Sequence, residues 1–427
     1  MGPMLRTGDW EYELDGADCA IITRWRGNAK QVDVPATLDG HAVVVLGDDA
    51  FADEFAYDPI ALATGHVSVP ESVTLPEGVR TIGNRCFDGC ANLRSISLPE
   101  GLETIGEQAF GGCAFASVSL PSSLKDIGAS AFEGCHELAS IALPEGLQTI
   151  GACAFSDCRS LKSIALPSTL IELGECAFAD LTTLESVTFA EEPCVDGRPK
   201  RPNEQFRFID PGTFEGCSSL RHVALPSSVK QIGRDAFAGC SSLESITLPE
   251  GLEFIAPRAF ASCGSLASIK LPDGVKYIHV RTFENCRSLR SVSFPKTLKL
   301  IGDDAFLRCT SLEAVSLPAD VRLIAGRAFA LCTSLTRVEL REGLRSIGEG
   351  AFASCRALTA VALPEGLASL GAYAFQDCPA LVSVSMPASL EEIGAYAFYG
   401  NKKLVMACPA GSFAELWCRK LGYRLQE

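Results

Sequence analysis

One spacing limits what this chain can fold into. Phenylalanine falls at the same point of a recurring phrase at Phe87, Phe110, Phe132, Phe155 and Phe178, then at Phe214, Phe237, Phe260, Phe283, Phe306, Phe329, Phe352, Phe375 and Phe398. Nearly every interval is 23 residues; the exceptions are one of 22 (Phe110 to Phe132) and one of 36 (Phe178 to Phe214). Phe51 lies a further 36 residues before Phe87. The phrase reads L-x-x-I-x-L-P-x-x-L-x-x-I-G-x-x-A-F-x-x-C. A fixed period of roughly 20 to 50 residues marks a solenoid of stacked units. The 427 residues are therefore read as one elongated array, not as the two or three domains that length alone suggests.

Within "LRSISLP" (93–99), Ile96 and Leu98 alternate with Ser95 and Ser97, which is the period-2 pattern of a half-buried strand. Pro99 ends that strand because it has no N–H for a ladder. Gly101 supplies a turn position with positive φ. Leu102 and Ile105 turn inward again, and Gly106 is read as a second tight bend. "EQAFGGC" is too short for a stable helix and is expected to form one helical or 3₁₀ turn that places Phe110 in the core. No 23-residue unit buries enough to offset the cost of ordering itself, so stacking has to supply the missing contacts.

The unit resembles the 23-residue leucine-rich repeat of the BspA-like family over roughly residues 65–405. The opening, "WEYELDGADCAIITRWRGNAKQVDVPATLDGHAVVVLGDDAF", resembles that family's N-terminal segment. The resemblance implies a leucine-rich repeat solenoid of parallel strands and short helical or 3₁₀ turns. It also implies a cell-surface or secreted protein that binds host proteins or other cells by adhesion, without catalysis. Residues 1–50 are expected to form an N-terminal β cap with the first "AF" unit, 51–405 the solenoid, and 406–427 a helical cap. Trp10 and Trp25 should cover the first coil. At the other end Ser412 and Glu415 form a capping box, and Phe413, Leu416, Trp417 and Leu421 an apolar stripe. Insertions near 54–66 and 190–205 break the period and are read as surface loops.

Twelve of the nineteen cysteines share one repeat position, from Cys90 and Cys113 through Cys378. A buried Cys acts as a small hydrophobe with a weak S–H donor, and leucine-rich repeats use Asn or Cys at such a site. Parallel Cβ vectors disfavour disulfides between rungs; Cys153 and Cys176, at another position of successive coils, are a pair that oxidation could join. So many free thiols suit a reducing setting. No zinc spacing, P-loop, GxSxG or HExxH occurs, so neither metal nor cofactor is expected. The net charge of −15 argues against nucleic acid, and no 18-residue apolar run suggests a membrane span.

What remains is binding. The outward strand positions are mostly Ser, Ala and Thr, interrupted by His222, Lys270, Arg337 and Glu339. The 190–205 insertion carries Arg198, Lys200 and Arg201. These seven residues are the candidate contacts for a protein partner of a monomeric, non-catalytic binding protein. An intracellular assembly scaffold and a thiol-dependent enzyme are the alternatives. "MGPMLRTGDW" shows no basic region followed by an apolar run. The expectation is therefore the surface or secretion if a leader was removed, and the cytoplasm if Met1 or Met4 is the native start.

Overall fold

A computed structural model describes residues 4–53, 70–190 and 205–426. The chain divides into two compact units, Met1–Leu220 and Arg221–Glu427, each a β-solenoid.

The first unit opens with strands β1 (Leu5–Thr7), β2 (Trp10–Leu14) and β3 (Ala20–Trp25), joined antiparallel. From there the ladder turns parallel: β3 pairs with β4 (His41–Leu46), and Leu46, Ile82, Ile105, Ile127, Ile150 and Leu173 follow in register, one per coil. A second set of short strands carries the outward serines. Gln31–Asp33, Ser72–Thr74 and Ser95–Ser97 pair in parallel, as do Ser117–Ser119 with Ser140–Ala142 and Ser163–Leu166 with Ser186–Phe189. Ser95 and Ser97 are exposed, with Ile96 turned inward as its alternation requires.

The second unit repeats this plan. Tyr277–Ile278, Leu300–Ile301, Leu323–Ile324, Ser346–Ile347, Ser369–Leu370 and Glu392–Ile393 form one parallel six-stranded sheet. Ala314–Ser316, Arg337–Glu339, Ala360–Ala362, Ser383–Ser385 and Val405–Ala407 form the serine-bearing sheet, which Arg424–Leu425 closes.

Two local expectations change. The "AF" segment is not helical. Gln108 has φ 53° and Gly112 φ 68°, two residues on either side of Phe110, and left-handed residues at this spacing interrupt any helical run. The segment instead makes successive tight turns, with Gly111 N–H to the Gln108 carbonyl and Cys113 N–H to that of Phe110. It also builds a third ladder: the N–H groups of Arg85, Phe87 and Gly89 donate to the carbonyls of Glu107, Ala109 and Gly111 one coil on, at 2.7–3.1 Å. Gly106, read as a tight bend, is a point of close approach between coils. A Cβ there would lie 2.6 Å from the carbonyl carbon of Gly83, so the site requires glycine because the backbones of two coils nearly touch.

The core of each unit is a column of Phe rings, stacked in most coils at centroid spacings of 5.1–5.7 Å (Phe132 to Phe155, 5.2 Å and 2°). Trp25 stacks on Phe51 at 5.4 Å and Trp10 meets it edge-on at 6.0 Å, so the tryptophans end the column of the first unit. In the second unit Trp417 and Tyr423 stack at 5.2 Å and meet Phe398 edge-on. The cap helix α1 (Phe413–Leu421) begins at Ser412, whose Oγ accepts the Glu415 N–H at 3.2 Å, and the Glu415 carboxylate takes the Gly411 N–H. Of the stripe expected from the sequence only Trp417 packs, against Phe398 and Tyr423. Ala414 and Cys418 are buried, while Phe413, Leu416 and Leu421 are exposed, because only small side chains let the helix lie close to the coil beneath.

Candidate functional site

Recurring residues of the phrase face inward: Leu, Ile, Phe and Cys are buried in coil after coil. The Cys position is a hydrogen-bond ladder. Cys263 Sγ donates to the Phe237 carbonyl one coil back at 3.2 Å, and the Cys240 N–H donates to the same oxygen at 3.2 Å. The pattern holds from Cys90 on Phe51 to Cys378 on Phe352. At the last coil Asn401 Nδ2 takes over, donating to Phe375 at 2.8 Å. Burial pushes the Cys286 and Cys378 thiols up to about 12, so these sulfurs stay protonated and unreactive. Cys153 and Cys176 sit in left-handed conformations on adjacent coils. Both are free, and burial lifts Cys176 to about 11. Every cysteine whose pKa moves is moved up, which opposes the thiol-enzyme alternative.

Among the described residues no cluster of His, Cys, Asp and Glu could hold a metal ion, and no helix is long and apolar enough to cross a membrane.

The sequence-predicted contacts separate. Arg198, Lys200 and Arg201 lie outside the described residues. The other four lie on outward serine-bearing strands, in three separate sheets, and each is already engaged. His222 Nδ1 lies 2.9 Å from Ser245 Oγ, and Lys270 Nζ donates to Glu250 at 2.7 Å. Arg337 and Glu339 pair with each other, and Glu339 also accepts from Ser316 Oγ at 2.7 Å. Only the last two come together. Lys270 stands two coils from His222 and three from Arg337, about 10 and 14 Å along the ladder.

The other sheet of the second unit carries a row that a reading of the serine strand passes over. Lys276, Lys299, Arg322 and Arg345 occupy one position of four successive coils, each N–H bonded to the preceding member's carbonyl at 2.8–2.9 Å. Beside them run Phe254, Tyr277, Leu300 and Leu323, the first two 38% and 47% exposed. His279 packs at 4.9 Å from Phe254, its Nε2 buried without a hydrogen-bond partner. Reading the two residues before the inward Ile down the repeats reveals this row, although in these four coils a Gly follows that Ile only at Ile301 and Ile347.

Parallel strands at one per coil, a Phe column and a Cys/Asn ladder define a leucine-rich repeat solenoid. The chain belongs to the BspA-type leucine-rich repeat family, whose model matches residues 68–192, 207–333 and 299–407. A leucine-rich repeat protein from Bacteroides ovatus is similar at 26% identity, with 99% of each chain covered and a TM-score of 0.75. The pneumococcal vaccine antigen PcpA is similar at 18% identity over 99% of this chain and 98% of its own (TM-score 0.52). A leucine-rich cell surface protein from Faecalibacterium prausnitzii shares 22% identity over 97% of each chain (TM-score 0.47). No curated protein matches.

Proposed function

We propose that this chain is a non-catalytic protein-binding repeat protein acting in adhesion, or in capture of a host or partner protein, at a bacterial surface. The division of labour within each coil carries this reading. The Leu, Ile, Phe and Cys that recur are buried and make the scaffold, while the exposed strand positions are mostly small and change character at a few coils, at His222, Lys270, Arg337 and Glu339, as recognition on a rigid frame requires. Membership of the BspA-type family accords with a surface role. Affinity chromatography on host-cell and bacterial lysates, followed by titration of the purified partner, tests the proposal. A saturable protein partner is expected, weakened by Arg337→Ser with Lys270→Ser or by changing Arg198, Lys200 and Arg201 to Ser. No saturable partner, or turnover of a small substrate, would overturn it.

A further inference from the structure

The Lys276–Lys299–Arg322–Arg345 row is electrostatically unfavourable as it stands. Parallel register holds like charges about 4.8 Å apart, where directly opposed like charges destabilise a sheet. At the same position of the first unit Arg80, Glu103 and Lys125 alternate in sign, with Glu103 pairing to Arg80 at 3.4 Å and to Lys125 at 2.9 Å, and Lys230 and Glu253 pair in the same way in the two coils before Lys276. In the second unit Asp320 answers Lys299 at 2.6 Å. Arg322 and Arg345 each place one Nη1–H on a carbonyl, of Gly343 and Gly366, at 2.9 Å. These bonds fix the guanidinium groups, and neither is to an acid. Asp320 acts on both Lys299 and Arg322, so one acid faces four stacked cations, and on a chain of net charge −15 the row keeps a local excess of the opposite sign.

The adjacent apolar row selects the kind of anion. Phe254, Tyr277, Leu300 and Leu323 are partly covered, with His279 beneath the aromatic pair, so they make a shallow floor rather than a protruding wedge. A lipid surface calls for side chains that reach the acyl region, and a polyanionic sugar has no use for the floor. An amphipathic peptide uses both rows. The pitch then chooses its conformation. Three coil steps span about 14 Å. Three helical turns rise about 16 Å, a mismatch of about 2 Å that lysine and arginine stems absorb. In an extended strand, alternate side chains over three steps span about 20 Å, and register is lost.

We propose that this face of the second unit docks an α-helix of a partner protein, with an acidic stripe on the Lys276–Arg345 row and an apolar stripe on Phe254, Tyr277, Leu300 and Leu323. The inference rests on the protein-binding reading above and adds the site and the partner's form. The acids would recur every three to four residues over about three turns.

A displayed library of helical peptides, selected on the full chain, tests it. Recovered peptides should carry Asp or Glu at i, i+4, i+7 and i+11 with Leu or Ile alongside. Their synthetic versions should bind at least tenfold more weakly to Lys276→Glu/Arg322→Glu/Arg345→Glu and to Phe254→Ser/Tyr277→Ser, both checked for unchanged melting, and more weakly as salt rises. Selection without an acidic helical consensus, or peptides indifferent to both variants, would overturn the proposal. So would heparin or phosphatidylserine vesicles binding as tightly through the same residues. A lysate partner that binds the variants normally would overturn this site alone and leave the protein-binding reading standing.

Discussion

The residue at each ladder site is chosen for the bond it makes. A Phe carbonyl has two lone pairs; the N–H three residues on takes one and the next coil's Sγ the other. Asn401, at the same place in the last coil, shows that a donor is needed there and sulfur is not. His279 is the opposite case, a polar ring with its Nε2 buried and unbonded, and burial lowers its pKa. Above the ordinary imidazole value of about 6.5, folded and unfolded chains both carry it neutral. As pH falls below that value the unfolded chain binds the proton first, so stability is lost on acidification. Urea midpoints measured from pH 7.5 to 5 should therefore fall more steeply for the native protein than for His279→Ala. A difference between the two curves that does not change with pH would refute this account.

Among the elements, the outward serine strand was legible because it alternates, and the Trp10–Trp25 cover because large aromatics at the start of a Phe column have few other uses. The two-residue second strand was not legible. Thr104 and Ile105 show no periodicity of their own, and their strand character comes only from neighbours in register one coil away. The cap helix was legible in its position but not in its orientation, since close approach favoured Ala414 and Cys418 over the larger apolar side chains. Of the candidate contacts, the sequence placed His222, Lys270, Arg337 and Glu339 on the outward strand; Arg337 pairs with Glu339 on that strand, but Glu250, the partner of Lys270, lies in a turn that the strand does not reveal. Gly106 gives the element-scale prediction. With a Cβ 2.6 Å from the Gly83 backbone, Gly106→Ala should cost about 1–3 kcal/mol through overpacking. Gly302→Ala, whose nearest backbone atoms lie at 2.9 Å, should cost less. Thermal melts in which the two variants match, or in which Gly106→Ala is neutral, would show that the coils are not in contact there.

At the scale of the whole molecule, stability is a sum over neighbours. Each coil is held by its column, its two sheets and the ladder of tight turns, all of which reach only the coil before and the coil after. Damage at one rung should therefore spread over a few coils and then fade. Cys263→Ser provides the test in a buried site that cannot relax into solvent. The shorter C–O bond draws the hydroxyl back from the Phe237 carbonyl, leaving a poorly satisfied polar group, at a cost of about 1–3 kcal/mol. Hydrogen exchange of this variant should show lost protection at the N–H groups of the coils ending in Cys240, Cys263 and Cys286. The coils of Cys355 and Cys378 should exchange as in the native protein. A uniform loss along the chain would mean that it unfolds as one cooperative body and not coil by coil.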